Sequence, residues 1–459
     1  MGAAWHYRFI LNNFKKMKKI ISSAIVFLLV ADCAFAQGEI VSPSKTNTFF
    51  QQIGSWWNGQ YFFGDWAGKR KELSEKGIDI TSTYVVDLLT NVHGGIRKNR
   101  FRYDSSLGLD VNADLERIYG LKGLQFHVSG VYREGKNLAG DIGNRFPPSS
   151  IYGSEEIRLY NLYLEQEMFS DKLSFKIGRL GTGDDFAQSP LYWIFLTNSI
   201  DGCPINLPIN FFFTVYPTAT WGARLKFQPA NAFVWKGGIY NEDADIGRMS
   251  AHGADFSIRR NKGILFIQEF GFVPNQYESA EGLPGNYKLG LFYSTGRFKD
   301  LYQDENGNSY ALTGLSQKRR YGNYGFYLHL DQMLYREPGT KDQGFTPFFV
   351  AVWQPERINE IPLFFDLGLT YKGLIPGRDC DIAGIGLAYG RWSRQLNKYH
   401  SDAGAEKQTF ETIVEATYKI AINKWLYFQP DIQYIINPNG GNQNTGNALV
   451  TGARIGITF

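Results

Sequence analysis

The chain has 459 residues, 48 of them Lys or Arg and 44 Asp or Glu, with 35 Phe, 27 Tyr, 10 Trp, 50 Gly and three Cys. So even a charge balance gives no whole-molecule field to steer nucleic acid, and three cysteines are too few for a disulfide scaffold. Glycine-punctuated, aromatic-rich segments suit a soluble all-β lectin or the girdled strands of a membrane barrel. The negative mean hydropathy excludes neither, because half of each barrel strand faces water.

In chain order the first signal is Met17-Lys-Lys19, followed by the apolar run Ile20 to Val30 and by Ala34-Phe-Ala36. A basic n-region, an h-region and a small-x-small site make a secretory signal peptide, and the run is too short to cross a bilayer as a helix. Residues 1–36 are therefore expected to be a signal peptide with an upstream extension over 1–16, cleaved after Ala36. Asp32 before Cys33 fits a lipoprotein signal poorly. Losing Arg8, Lys15, Lys16, Lys18, Lys19 and Asp32 leaves 43 basic and 43 acidic residues, so the net charge of +4 belongs to the segment removed. Cys203 and Cys380 remain, and an oxidising compartment allows them to pair.

Residues 37–77 form an N-terminal segment. Within it Asp65 to Gly77 reads as a short capped helix, with Asp65 as N-cap and Gly77 as the C-terminal stop, packing at the periplasmic end of a strand-rich region that begins at residue 78.

From residue 78 the apolar period is two. Leu107, Leu109, Val111 and Ala113 alternate with Gly108, Asp110, Asn112 and Asp114; Trp221, Ala223, Leu225 and Phe227 with Gly222, Arg224 and Lys226; Phe365, Leu367, Leu369 and Tyr371 with Asp366, Gly368 and Thr370. Such alternation puts one set on each face of a strand. It predicts sixteen strands, over 78–88, 107–116, 124–133, 157–167, 173–180, 220–228, 233–240, 264–272, 287–296, 321–335, 346–354, 362–372, 382–391, 410–419, 426–436 and 448–459. Residues 253–259 offer a seventeenth, but bacterial barrels have even strand numbers, so 241–262 is assigned to a loop.

With both termini periplasmic, the turns 117–123, 168–172, 229–232 and 420–425 are short. The outer loops 134–156, 181–219, 241–262, 297–320 and 392–409 are long, the asymmetry of outer-membrane barrels. Loop 355–361 and turn 273–286 fit it less well. Closure is required because lipid offers no hydrogen bonds to an open sheet edge. The last strand places Leu449, Thr451, Ala453, Ile455, Ile457 and Phe459 on one face and Val450, Gly452, Arg454, Gly456 and Thr458 on the other. That pattern suits a closing membrane strand or an ordinary half-buried strand of a soluble protein, and the rest of the chain decides for the first. The fold class expected is all-β: a 16-stranded antiparallel transmembrane β-barrel over 78–459 with a short N-terminal helical segment.

Several stretches together resemble the carbohydrate-selective porin family, the OprB-like porins. They are Gly64-Asp-Trp-Ala-Gly-Lys-Arg70, Asn91-Val-His-Gly-Gly95 and Arg158-Leu-Tyr-Asn-Leu-Tyr-Leu-Glu-Gln166. Further on come Tyr216-Pro217 with Trp221-Gly-Ala-Arg224, Asp342-Gln-Gly-Phe345 and Pro376-Gly-Arg-Asp379. The closing match is Leu426-Tyr-Phe-Gln-Pro-Asp-Ile-Gln-Tyr434 with Asn437-Pro438, ending at Phe459. The likeness reaches from about residue 61 to 459, and it implies a sixteen-stranded outer-membrane channel passing neutral sugars such as glucose. Family members carry a second glycine where Ala67 stands.

The residues themselves argue for passage over chemistry. His93, His127, His252, His329 and His400 form no close pair and no metal-ligand spacing, so no metal, cofactor or enzymatic role is expected, although His127 and Ser129 share an inward face. A plug domain does not fit into the 41 residues before the first strand. Sugars need hydroxyl partners and flat apolar faces, which Arg, carboxylates and aromatic rings supply. The candidates are Arg133 and Arg158 at outer strand ends, Glu165 further along, and Arg179 at the foot of loop 181–219. That loop adds Asp184, Asp185, Tyr192 and Trp193. Inward Asp110, Asp114, Asp366 and Asp431 mix with Arg224, Lys226, Lys372 and Arg454, which suits a polar uncharged solute. A phosphate pore needs a basic excess.

The expectation is passive diffusion of mono- and disaccharides, with loop 181–219 folded inward to bring Trp193 and Asp184 towards Arg158 and Arg179. The alternatives are a general diffusion porin or an outer-membrane carbohydrate-binding adhesin. Expected partners are sugars, outer-membrane lipid and lipopolysaccharide, the barrel assembly machinery and, by analogy with porins, two further copies in a homotrimer; nucleic acid is not one.

Overall fold

The computed structural model describes residues 54, 56–151, 155–259, 262–277, 279–441 and 445–459. The expected signal peptide over 1–36, and residues 37–53 and 55 of the segment after it, lie outside the described residues. No helix of the described residues is long and apolar enough to cross a membrane.

The described residues form sixteen antiparallel strands: β1 (Ile78–His93), β2 (Arg100–Asp114), β3 (Leu124–Gly135), β4 (Glu156–Met168), β5 (Leu173–Leu180), β6 (Thr220–Ala230), β7 (Phe233–Asn241), β8 (Ile264–Phe272), β9 (Gly285–Asp304), β10 (Gln317–Gln332), β11 (Gly344–Trp353), β12 (Leu363–Lys372), β13 (Ile382–Arg391), β14 (Phe410–Ala421), β15 (Leu426–Ile436) and β16 (Ala448–Thr458). A two-residue piece, Tyr335–Arg336, continues β10 beside β11 after a short break. Each strand pairs with its chain neighbours, and β16 returns to β1 with Thr83 opposite Thr458 and Asp87 opposite Arg454. The sheet is a closed barrel with no free edge, as a lipid-embedded sheet must be.

Strand faces follow the expected parity. On β8, residues Leu265, Ile267 and Glu269 are buried while Phe266, Gln268 and Phe270 are exposed. The exposed apolar set recurs on strand after strand and faces lipid, so the hydrophobic interior lies elsewhere. It consists of two outer loops packed on inward-facing wall residues. Loop L2 (136–155) contributes Leu138, Ile142 and Phe146, and loop L3 (181–219) contributes Phe186, Tyr192, Phe195, Leu196 and Leu207. They meet Leu89, Tyr327, Val350, Phe364 and Ile413 of the wall.

Several expected boundaries move. The hairpin placed as loop 297–320 is half strand, because β9 runs to Asp304 and β10 begins at Gln317; β1 and β2 likewise run on to His93 and start at Arg100. Beyond the hydrocarbon band the ladder continues with charged residues on both faces, so the apolar alternation that marks a membrane strand disappears while the strand does not. At the opposite rim β2 stops at Asp114, whose carboxylate accepts from the amides of Glu116 and Arg117 and caps the short helix Leu115–Tyr119. Asp114 is thus a rim cap paired with Arg117, not a wall charge. Of the segment assigned to a loop, Asn241 ends β7 and residues 242–259 form a loop with two 3-10 turns.

The N-terminal helix α1 (Lys69–Glu75) is shorter than expected. Trp66 and Ala67 have positive φ and Gly68 stands at the cap with φ +89, so Asp65 precedes the helix by a turn. Its carboxylate still accepts from the amide of Lys71 at 3.2 Å. Ala67 at φ +53 adopts a conformation that glycine takes without strain. Gly77, at φ +87, ends the helix as expected. The two cysteines are free, Cys203 buried and Cys380 exposed; the allowed pairing is not made.

Candidate functional site

L3 runs along the inside of the barrel, pinned by the wall at both ends and in the middle. At its start Asp184 accepts from the Tyr160 hydroxyl at 2.5 Å and the Asn161 amide at 2.8 Å, both on β4. In mid-loop the Glu415 carboxylate of β14 accepts the backbone amides of Leu196 and Thr197 at 2.6 and 2.9 Å. Beside it the Gln429 amide of β15 donates to the Ile194 carbonyl at 2.5 Å. Ser189 donates to Asp331 at 3.0 Å, and Tyr192 meets His329 at 3.1 Å. Asn210 donates to Gln354 and accepts from the Ile361 amide, at 2.6 and 3.0 Å. An inward strand position that would otherwise meet water instead satisfies loop backbone, which a buried loop requires.

L2 folds inward as well, which sequence reasoning did not foresee. Glu411, four residues before Glu415 on the same inward face of β14, accepts the amides of Arg145 and Phe146 at 2.8 and 2.7 Å. It also takes the amide of Asn439 from the loop after β15. Gln433 donates to the Pro148 carbonyl at 2.8 Å. The signal was present as three apolar residues, Leu138, Ile142 and Phe146, in a loop that needed none if it faced only water.

Where L3 leaves the wall, charges cancel in a closed ring. Arg224 of β6 donates to Glu165 of β4 at 2.6 Å and to Asp185 of L3 at 3.2 Å. Lys176 of β5 lies 3.1 Å from Asp185 and 3.7 Å from Glu165. Lys236 of β7 extends it, donating to the Asp185 carbonyl at 2.6 Å and pairing with Glu269 at 3.1 Å. Two acids face two bases, and each carboxylate is shared between cations, so the patch is polar and nearly neutral.

The six sequence candidates divide by what they touch. Arg158 donates to Glu156, to the Thr218 hydroxyl at 3.1 Å and to the Gly247 carbonyl at 3.1 Å, tying the end of L3 to the loop L4 (242–263). Arg179, fully buried, donates to the carbonyls of Asp255 and Ala219 at 2.5 and 3.2 Å. Arg133 lies over the Tyr216 ring at 4.7 Å. Glu165 sits in the charge ring and Asp184 is bonded to Tyr160 and Asn161. The expected convergence on Arg158 and Arg179 is not made: Asp184 reaches the strand of Arg158 through Tyr160 and Asn161, while the Arg158 guanidinium is taken by Glu156, Thr218 and Gly247 and that of Arg179 by two loop carbonyls. Trp193 stands apart. Its neighbours Tyr192 and Ile194 are buried against the wall at 1 % and 7 % exposure, whereas Trp193 is 62 % exposed, so its indole projects away from the wall.

A closed sixteen-stranded barrel, apolar outside and polar inside, with its longest loop folded into the lumen, is an outer-membrane porin. Residues 98–459 match the sequence pattern of the carbohydrate-selective porin, OprB family, and the chain belongs to that family: it is an outer-membrane sugar porin. It is 30% identical to Porin B of Pseudomonas aeruginosa over 423 residues, 88% of this chain and 92% of that one. The putative porin QuiX of Acinetobacter baylyi is 25% identical over 90% of this chain and 95% of its own. Among solved structures, the high-pH form of Pseudomonas putida OprB superposes with a TM-score of 0.82 at 28% identity, over 88% of this chain and 99% of that one.

Proposed function

We propose that the channel passes neutral mono- and disaccharides passively, with weak affinity and without any chemical step. The observation that carries this reading is the ring of Glu165, Arg224, Asp185 and Lys176, in which each charge is cancelled by a neighbour. A fixed, compensated array offers donors and acceptors to hydroxyls while holding no net field for an ion. Conduction requires several weak sites in place of one strong one, and hydroxyl exchange along such a wall supplies them.

Within that reading Trp193 covers the C–H face of a pyranose and Asp184 accepts from its hydroxyls at the lumen side of L3. Glu165 is the other carboxylate within reach of hydroxyls. Arg158, bonded to Glu156, Thr218 and Gly247, and Arg179, bonded to two loop carbonyls, hold the passage in shape, and Arg133 braces Tyr216 at the end of L3. The functional unit is a homotrimer inserted by the barrel assembly machinery. Liposome swelling tests the reading: glucose should enter faster than a zwitterion of similar size. Equal rates reduce the protein to a general diffusion porin, and no swelling with either makes it an adhesin.

A further inference from the structure

The outer surface of the β9–β10 hairpin departs from the rest of the lipid-facing wall. Its outward positions on β9 read Leu289, Leu291, Tyr293, Thr295, Arg297 and Lys299 from the periplasmic side outward; on β10, Phe326, Tyr324, Tyr321 and Arg319 follow the same direction. Tyr293 faces Phe266 across one strand boundary and Tyr324 across the other. Trp353 lies 5.8 Å from Phe326 and 6.2 Å from Tyr324. These four strands therefore share a continuous aromatic row, the mark of the outer interface. Arg297 and Lys299 lie four and six residues beyond Tyr293. At a rise of ~3.4 Å per residue and a tilt of about 40°, that is roughly 10–15 Å further out. This is the depth of lipid headgroups.

The cations there are arranged unfavourably for a bare surface. Arg319 is directly opposite Lys299 and Tyr321 is opposite Arg297, and like charges in register destabilise a strand pair. No ion pair to Arg297, Lys299 or Arg319 exists among the described residues, while the inward neighbour Arg320 pairs with Asp300 at 2.7 Å. The inner face neutralises its cation and the outer face does not. The Arg297 guanidinium rests 5.6 Å from the Tyr321 ring, and that tyrosine is 71 % exposed, adding a hydroxyl donor to the cluster.

We propose that this face binds the phosphate groups of a phosphorylated outer-leaflet glycolipid, of the lipopolysaccharide type, through Arg297, Lys299 and Arg319, with its acyl chains lying on the aromatic row below. Guanidinium forks match phosphate oxygens, and an anion between Arg319 and Lys299 removes their repulsion. Position selects the source: a soluble anion has no use for the aromatic belt, whereas a glycolipid uses both.

The test is titration of the detergent-solubilised full-length protein with purified lipopolysaccharide, read by native mass spectrometry. With each surface cation worth about fivefold in affinity for an anionic lipid surface, Arg319→Gln should weaken binding about fivefold, and Arg297→Gln/Lys299→Gln/Arg319→Gln about a hundredfold. Enzymatically dephosphorylated glycolipid should bind the wild type as weakly as the triple variant, and millimolar inorganic phosphate should not displace the phosphorylated form. The proposal is overturned by unchanged binding in Arg319→Gln, by equal binding of dephosphorylated glycolipid, or by displacement with free phosphate. Single-channel conductance checks that the variants fold, because none of the three residues lines the lumen.

Discussion

Arg454 and Asp87 close the barrel with a forked ion pair: Nε donates to Oδ1 at 2.7 Å and Nη2 to Oδ2 at 2.9 Å, directly across the β16–β1 seam. Both inner loops converge on it. Ser149 of L2 donates to Asp87 at 2.8 Å, Arg454 donates to Ser150 at 3.0 Å, and Asp201 of L3 stands 3.9 Å from the guanidinium. The seam therefore fixes where L2 and L3 meet.

Removing one partner of a buried pair leaves an uncompensated charge, at a cost of about 3–5 kcal/mol. Arg454→Leu should lower the stability of the folded barrel by that order, read as the urea midpoint of the heat-modifiable electrophoretic form. Asp87→Leu/Arg454→Leu should recover most of the loss, because both charges are then gone. A double variant no better than the single one assigns the cost to shape and not to charge.

Glu415 offers a cleaner handle on the channel. Its partners in L3 are two backbone amides, and the loop keeps its other ties at Asp331, Gln354 and Gln429. Glu415→Ala should leave folded yield near wild type while unpinning the middle of L3. Planar-bilayer recordings should then show noisier openings and a raised mean conductance. Quiet, unchanged openings would show that Glu415 is dispensable for positioning the loop.

Most of the architecture was legible because a membrane barrel is written in period two. Leu449 to Phe459, Trp221 to Phe227 and Phe365 to Tyr371 each alternate, and each is a strand where expected. Legibility ended where the physical cause of the pattern ended. Arg297-Phe-Lys-Asp-Leu-Tyr302 is strand beyond the hydrocarbon of the bilayer, so no apolar face is required of it. Leu115 to Tyr119 became a helix because Asp114 caps it. The inward fold of L3 was readable from its length, but its anchors were not. Glu411 and Glu415 resemble any polar wall residues until loop amides from far along the chain arrive beside them. The same holds for the loop partners of Arg158 at Thr218 and Gly247 and of Arg179 at Asp255 and Ala219, which no local pattern announces.

Phe459 is buried at the periplasmic rim, where its ring stacks on Phe63 with centroids 5.2 Å apart and meets Phe62 at 5.7 Å. Its amide donates to the Ser82 carbonyl and that of Phe62 to the Thr458 carbonyl, both at 2.8 Å. The segment before α1 is thereby stitched to the closing strand. Phe459→Ala removes a large buried aromatic, worth about 3–5 kcal/mol, and should reduce outer-membrane yield. Unchanged yield and thermal shift together would make the aromatic incidental.

Glu242 gives a pH signature outside the lipid. It is 7 % exposed at the start of L4, accepts from the Ser294 hydroxyl at 2.5 Å, and burial pushes its carboxyl up to about 7 from the usual 4.5. Below pH 4.5 both folded and unfolded chains hold the proton. As pH rises from 4.5 to about 7 the unfolded chain releases it first, so folded stability falls across that window by about 3 kcal/mol and then levels. Glu242→Gln should flatten this slope, gaining on the wild type at pH 8 and losing the advantage at pH 4. Parallel pH profiles of the urea midpoint would place the slope on another group.

Trp193 is the candidate whose environment best suits contact with a sugar. The 3-10 turn Tyr192–Ile194 buries its first and third side chains in the wall and leaves the second exposed. Exposing an indole to water costs apolar surface that burial elsewhere in L3 would have saved. A pyranose restores that contact transiently, since a flat C–H face covers the ring while its hydroxyls remain solvated. Trp193→Ala should therefore weaken the block of ion current by added glucose by about threefold to tenfold, matching about 1 kcal/mol of lost stacking. Open conductance without sugar should stay the same or rise, because a smaller side chain obstructs less. Trp193→Phe should keep most of the block, which separates a stacking contact from a general effect on L3. Equal glucose block in all three proteins removes the residue from the sugar path and leaves the ring around Arg224 as the selective element.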